Sequence, residues 1–188
     1  MNELKEKIEK AVAFEMMTTK DMNGAFALIA SGHELAKTSK RPDIAVLSAQ
    51  SGQLQSGVLI VYLFAMWDQY FDHADVPTYF RPEEQRTFYA YKHIRHVFAH
   101  NIQGNRAGNR KNQERIDRAK ELDDVQTSDK PLQGVTTSKD KIELQFPDAF
   151  LGCQNFLVAM AQKLAAGRFS VGGPEGKIRS SNGQTDVM

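Results

Sequence analysis

The sequence predicts an all-α fold, an up-and-down bundle of four to five helices with a minor β-hairpin near residues 135–146. Three observations predict it. Apolar residues recur at intervals of three and four through most of the chain, proline and acidic residues mark helix starts, and strand-like alternation is confined to one short stretch. With 188 residues, 41% of them apolar and 25% charged, the chain has the length and composition of one globular domain.

The elements follow in chain order. Leu4, Ile8, Ala11, Val12 and Glu15 fall at helical intervals between Asn2 and about Met17. A second helix starts after Asp21, a capping residue, and carries Ala25, Leu28, Ile29 and Leu35 to a break at Ser39–Pro42. After Ser51-Gly52, the run Leu54, Val58, Val61, Tyr62, Ala65, Met66, Tyr70 is apolar nearly all round, which predicts an enclosed central helix. Pro82 opens the next helix, because proline has no amide hydrogen to lose there, and Glu83 and Glu84 suit the positive end of the dipole. Its stripe is Phe88, Tyr91, Arg95, Phe98, Ile102, with an arginine inside an apolar row. Asn109–Asp124 is charged enough to be an exposed helix or a mobile insertion.

Val135–Thr137 and Lys141–Phe146 flank a Ser138-Lys139-Asp140 turn, which predicts a hairpin appended to the bundle. Pro147-Asp148 opens a last helix with Phe150, Leu151, Phe156, Leu157, Met160 and Leu164 on its apolar face, ending at Gly167. Residues 1–166 are thus expected to form one domain, and the Gly- and Ser-rich segment 167–188 a disordered tail.

Composition narrows the function classes. The N-terminal residues mix both charge signs and lack the apolar stretch of a secretory signal. The longest apolar run, Val58–Trp67, falls short of the roughly 20 residues that cross a bilayer. A cytoplasmic location without membrane partners is the expectation. The lone Cys153, set among Leu151, Phe156 and Leu157, reads as a small core hydrophobe. A net charge of +1 conceals a basic region, since Arg81–Lys120 holds ten Lys and Arg against four Asp and Glu. Such a region either attracts a polyanion or is a solvated helix face.

Within it lies Arg95-His96-Val97-Phe98-Ala99-His100, at the end of an apolar helix and running into Asn101 and a glycine-rich break. Arg86 and His93 also meet the Arg-to-His spacing, so position at the helix end is what distinguishes Arg95 and His100. RNA carries its own nucleophile, the 2′-hydroxyl, and cleavage then needs a proton carrier and a cation for the phosphorane. Imidazole's reference pKa of about 6.5 suits general base or acid work, the role expected of His100, and the planar guanidinium of Arg95 suits stabilising phosphate charge. His96 and Asn101 are supporting residues that orient the phosphate or His100. Arg106, Arg110 and Lys111 are candidate RNA contacts. This chemistry calls for no metal and no cofactor.

The central helix with Trp67-Asp68-Gln69-Tyr70-Phe71, followed by Arg95-His96 and Ala99-His100-Asn101, resembles the HEPN superfamily of prokaryotic toxins and defence proteins. The bundle resemblance extends loosely from about Ala25 to Ala166. It implies a metal-independent endoribonuclease with Arg95 and His100 as catalytic residues and His96 as the polar residue of the motif. It also implies a homodimer with two motifs face to face, and a cognate antitoxin or inhibitor protein as a partner besides RNA. Residues five apart on an ideal helix point about 140° apart. Either the helix loosens around Ala99–Asn101, or Arg95 and His100 meet their counterparts across the dimer.

Three other readings compete. Arg95 can be structural, its stem packed in the stripe and its head paired to an acidic residue elsewhere in the bundle. His93, His96 and His100, at i, i+3 and i+7, share one helix side and suit a transition metal, although ligands on one straight helix rarely complete a tetrahedral shell. The chain can also be a non-catalytic helical module that binds nucleic acid or protein.

Overall fold

Proline at the first position, Pro42 and Pro82, sets where the two long helices begin, and acidic residues follow each of them. The computed structural model describes residues 2–18, 38, 42–71, 80–101, 104–106 and 113–166. The elements are α1 (Asn2–Met16), α2 (Pro42–Tyr70), α3 (Pro82–His100), α4 (Gln113–Gln126), β1 (Val135–Thr137), β2 (Ile142–Leu144) and α5 (Asp148–Ala165). At the start of α3 the Arg81 amide donates to Glu84 Oε2 at 3.1 Å, closing a capping box. Glu84 also receives Arg81 Nη2 at 2.9 Å and Lys163 from α5, so the cap ties two helices together.

Helix α2 runs unbroken through Ser51-Gly52, where the sequence suggested a boundary, and its 29 residues span about 43 Å. Gly57 in the same helix serves contact. A Cβ on Gly57 would lie 2.3 Å from Phe98 Cδ1, so the missing side chain lets α3 approach α2 closely. Helix α2 buries Ile60, Leu63, Phe64 and Trp67 but leaves Leu54, Val58 and Tyr62 exposed, so it is covered on one side and not all round as expected. Similarly, α1 buries Ala11 and Phe14 while Ile8, Val12 and Met16 face outward, a rotation from the stripe read in the sequence.

Aromatic rings fill the centre. Trp67 meets Phe14 edge-on at 5.5 Å and Phe88 at 5.6 Å, joining α1, α2 and α3. Cys153 on α5 is fully buried, and burial pushes its thiol well above its ordinary pKa, as a core residue requires.

Asn109–Asp124 was expected as an exposed helix or a mobile insertion. Its described part, α4, packs on α3 through Leu122 and Val125, both buried. The two helices are antiparallel: Glu83–Thr87, early in α3, line a cleft with Asp124–Lys130, while His96, late in α3, lies in the field of Arg115.

The hairpin pairs Val135 with Leu144, Thr136 with Glu143 and Thr137 with Ile142. It is more than an appendage, because Val135, Ile142 and Leu144 are all buried in the core. Its edge also binds the chain that leaves α3: Ile142 N donates to Gly104 O at 2.9 Å and Arg106 N to Asp140 O at 2.8 Å. Gly104 has φ +75°, and a Cβ there would sit 2.3 Å from Ile142 O, so only glycine suits this junction.

The helix expected between Asp21 and Ser39, Ile102, Arg110, Lys111 and the segment 167–188 lie outside the described residues. Among the described residues no helix is long and apolar enough to cross a membrane.

Candidate functional site at the end of α3

Helix α3 stays regular to His100, and the Asn101 amide still donates to Val97 O at 2.7 Å. The helix therefore does not loosen around Ala99, and Arg95 and His100 project in different directions. One turn of spacing instead joins the histidines: the rings of His96 and His100 meet edge to face at 4.6 Å. Ala99 and His100 are exposed to solvent, whereas Asn101 is half-buried at the helix end.

Arg95 sits between two environments. Its Nη2 lies 3.4 Å from Asp68 Oδ2 on α2, and both side chains are partly exposed. This is the acidic partner that the structural reading of Arg95 anticipated. The pairing is loose and one-sided, because Arg95 Nε is buried without a hydrogen-bond partner.

On the side of α3 that faces α4 the cations accumulate. Arg118, Leu122 and Val125 form one inner stripe of α4, and Arg115 continues it toward the histidines. Arg118 pairs with Glu114 through Nη2, yet its Nε is also buried and unpartnered. Burial lowers the pKa of His96, and the charges of Arg115, His100, Arg118 and Arg95 lower it further. His96 is therefore held as neutral imidazole, the form that accepts a proton, and its Nε2 has no partner. Lys92, nearly enclosed, is lowered first by burial and then by Arg118, with Asp68 and Glu114 pulling the other way.

His93 belongs to the packing. It is 1% exposed, with both ring nitrogens unpartnered, and lies against Arg106, His96, Asp123 and Arg118. Burial, then Arg106, drive its pKa down to about 4. The three histidines thus do not form one open face. Among the described residues no group of three or more His, Cys, Asp or Glu is placed to hold a metal ion.

Arg106 is engaged elsewhere. Its guanidinium pairs with Asp123 at 3.0 Å and donates to the carbonyls of Ser138 at 3.0 Å and Ala119 at 3.4 Å. It locks α4 to the hairpin turn, with its side chain 11% exposed. Sequence reasoning passed over Asp68 as a site residue, and over Lys92, Arg115 and Arg118 altogether. The repeat Arg115, Arg118, Leu122, Val125 was visible as one helix face, and it is the signal that could have found two of them.

No family model, no curated protein and no solved structure matches this chain. Fold and site together define an all-α bundle with a small antiparallel hairpin, bearing paired histidines and an excess of cationic side chains at one helix end.

Proposed function

We propose that this protein is a HEPN-like, metal-independent endoribonuclease that cleaves RNA by attack of the substrate's own 2′-hydroxyl. The observation that carries the reading is the edge-to-face His96–His100 pair at the solvent-facing end of α3, next to an arginine whose Nε is unpartnered. His100 takes the proton from the 2′-hydroxyl as its oxygen bonds to phosphorus. The bond to the 5′-oxygen breaks, and that oxygen takes up a proton from solvent. The products are a 2′,3′-cyclic phosphate and a 5′-hydroxyl. Arg95 carries the phosphorane charge, and His96 and Asn101 orient His100 and the phosphate.

Arg95 and His100 diverge on a regular helix, so the reading includes a homodimer in which the Arg95 of one copy serves the His100 of the other. A role as toxin or defence effector in the cytoplasm, held in check by an antitoxin or inhibitor protein, belongs to the same proposal. Arg110 and Lys111 remain proposed RNA contacts. Arg106, already bonded to Asp123, is less available for that role.

The test is incubation of purified protein with RNA in excess chelator, alongside single variants. His100→Ala is expected to lose about 10²- to 10⁴-fold in rate with RNA affinity nearly intact. Arg95→Lys keeps charge but not the planar fork, so it should preserve affinity better than rate. His93→Ala should cleave, after allowance for lost stability. A parent protein that binds RNA and never cuts it favours the second reading, a non-catalytic nucleic-acid- or protein-binding module. The Asp68–Arg95 pair is the observation on that side.

A further inference from the structure

Helices α3 and α4 run antiparallel, so stepping back along the inner stripe of α4 from Val125 to Leu122, Arg118 and Arg115 moves toward the histidine end of α3. The steps of three, four and three residues advance about 4.5 to 6 Å each. The first two positions are apolar and buried; the next two are arginines. Arg118 is 15% exposed and tied to Glu114, with a buried Nε lacking any partner. Arg115 is half-buried, and among the described residues no carboxylate pairs with it. A half-buried guanidinium without a carboxylate partner, close enough to His96 to act on its charge, is an arrangement that an anion completes.

Charge points the same way. Among the described residues, Arg95, Arg115 and Arg118 are gathered around His96, with Asp68 paired to Arg95 and Glu114 to Arg118. Of these three, Arg115 is the cation without a carboxylate partner, and it lies toward the helix end that carries the exposed His100.

We infer that Arg115 of α4 binds the RNA backbone at a phosphate neighbouring the scissile one, making α4 a second wall of the substrate groove. The substrate class is single-stranded RNA, whose backbone can bend into the angle between two helices and whose next phosphate then faces Arg115. Arg115 is a positioning residue: it grips a phosphate that does not react and sets the scissile one against α3. This rests on the reading of the α3 end as an RNA-cleaving site.

The test uses the full chain and a short 2′-O-methyl oligoribonucleotide, which offers the backbone but no free 2′-hydroxyl, so binding is read without cleavage. Arg115→Gln is expected to weaken binding about tenfold, the loss of one charge-assisted contact, and to flatten the slope of log affinity against log salt by about 0.7. Lys120→Gln, on the exposed side of α4, removes the same charge and should leave both unchanged. Arg115→Lys should recover most of the affinity, and circular dichroism checks that each variant is folded. With cleavable RNA the loss should fall on KM and not on kcat.

Equal binding by the parent and Arg115→Gln, or equal losses in Arg115→Gln and Lys120→Gln, overturns the inference even if the parent cleaves RNA. A parent that binds the oligonucleotide through Arg115 but cleaves nothing sinks the nuclease reading and leaves the groove standing. A parent that binds no oligonucleotide removes both.

Discussion

The Arg95 guanidinium of α3 reaches the Asp68 carboxylate of α2 at 3.4 Å, while its own Nε stays buried without a partner. At that length the charges still attract, but the hydrogen bond is weak. Asp68 therefore competes with any phosphate for Arg95. Asp68→Asn removes the competing charge with little change of shape. We expect RNA affinity to rise several-fold and stability to change by about 0–1 kcal/mol, as for other partly exposed pairs. Weaker RNA binding in titrations of this variant would mean that Asp68 aims Arg95 and does not restrain it.

Arg106 is expected to behave as a clamp. Arg106→Ala removes the bonds to Asp123, Ser138 and Ala119 and should cost about 1–3 kcal/mol in urea unfolding. The salt dependence of RNA binding should not change. A stable variant whose salt slope falls by about 0.7 would place Arg106 on the RNA instead.

Buried His93 predicts an acid-sensitive core. Its folded pKa of about 4 lies below the unfolded value of about 6.5, so the unfolded chain binds the extra proton between these limits. Stability is fully present above about pH 6.5 and declines as pH falls toward 4, by about 3 kcal/mol from this residue. Arg106, Arg118, His96 and Asp123 face the ring and move with it in the balance. His93→Leu should flatten that part of the stability curve, measured by urea unfolding at a series of pH values. An unchanged curve would show that His93 takes up its proton as readily in the folded protein as in the unfolded chain.

Much of α3 was legible because its signals are local: Pro82, the two glutamates, and a stripe repeating every three or four residues. What escaped depends on partners distant in sequence. Ser51-Gly52 looked like a break because nothing local says that Gly57, one turn and a half later, must admit Phe98. Arg106 looked like one more cation of a basic run because Asp123, 17 residues away, is brought to it by the folding of α4. Arg95 and Asp68, separated by 27 residues, meet only once the register of α2 against α3 is set. The candidate histidines were visible as a spacing, but which of them faced solvent was not, since burial of His93 comes from α4.

Gly57 gives a prediction about that register. Gly57→Ala gains about 1 kcal/mol of helix propensity but drives a methyl into Phe98, where overpacking costs about 1–3 kcal/mol. A net loss is expected in thermal unfolding. Adding Phe98→Leu should make the double variant more stable than the sum of the two single changes predicts. Strict additivity would show that α2 and α3 do not touch there.

The bonds from Gly104 and Arg106 to the hairpin edge bear on how this site can be moved between proteins. The segment after His100 is stitched to β2, and β2 is itself sealed into the core by Ile142 and Leu144. The histidine end of α3 cannot be lifted out as a helical hairpin with α2 alone. A graft that keeps α3 and discards the two strands would leave the last turn untethered, so the smallest transplantable cassette runs from α2 through β2 and into α5.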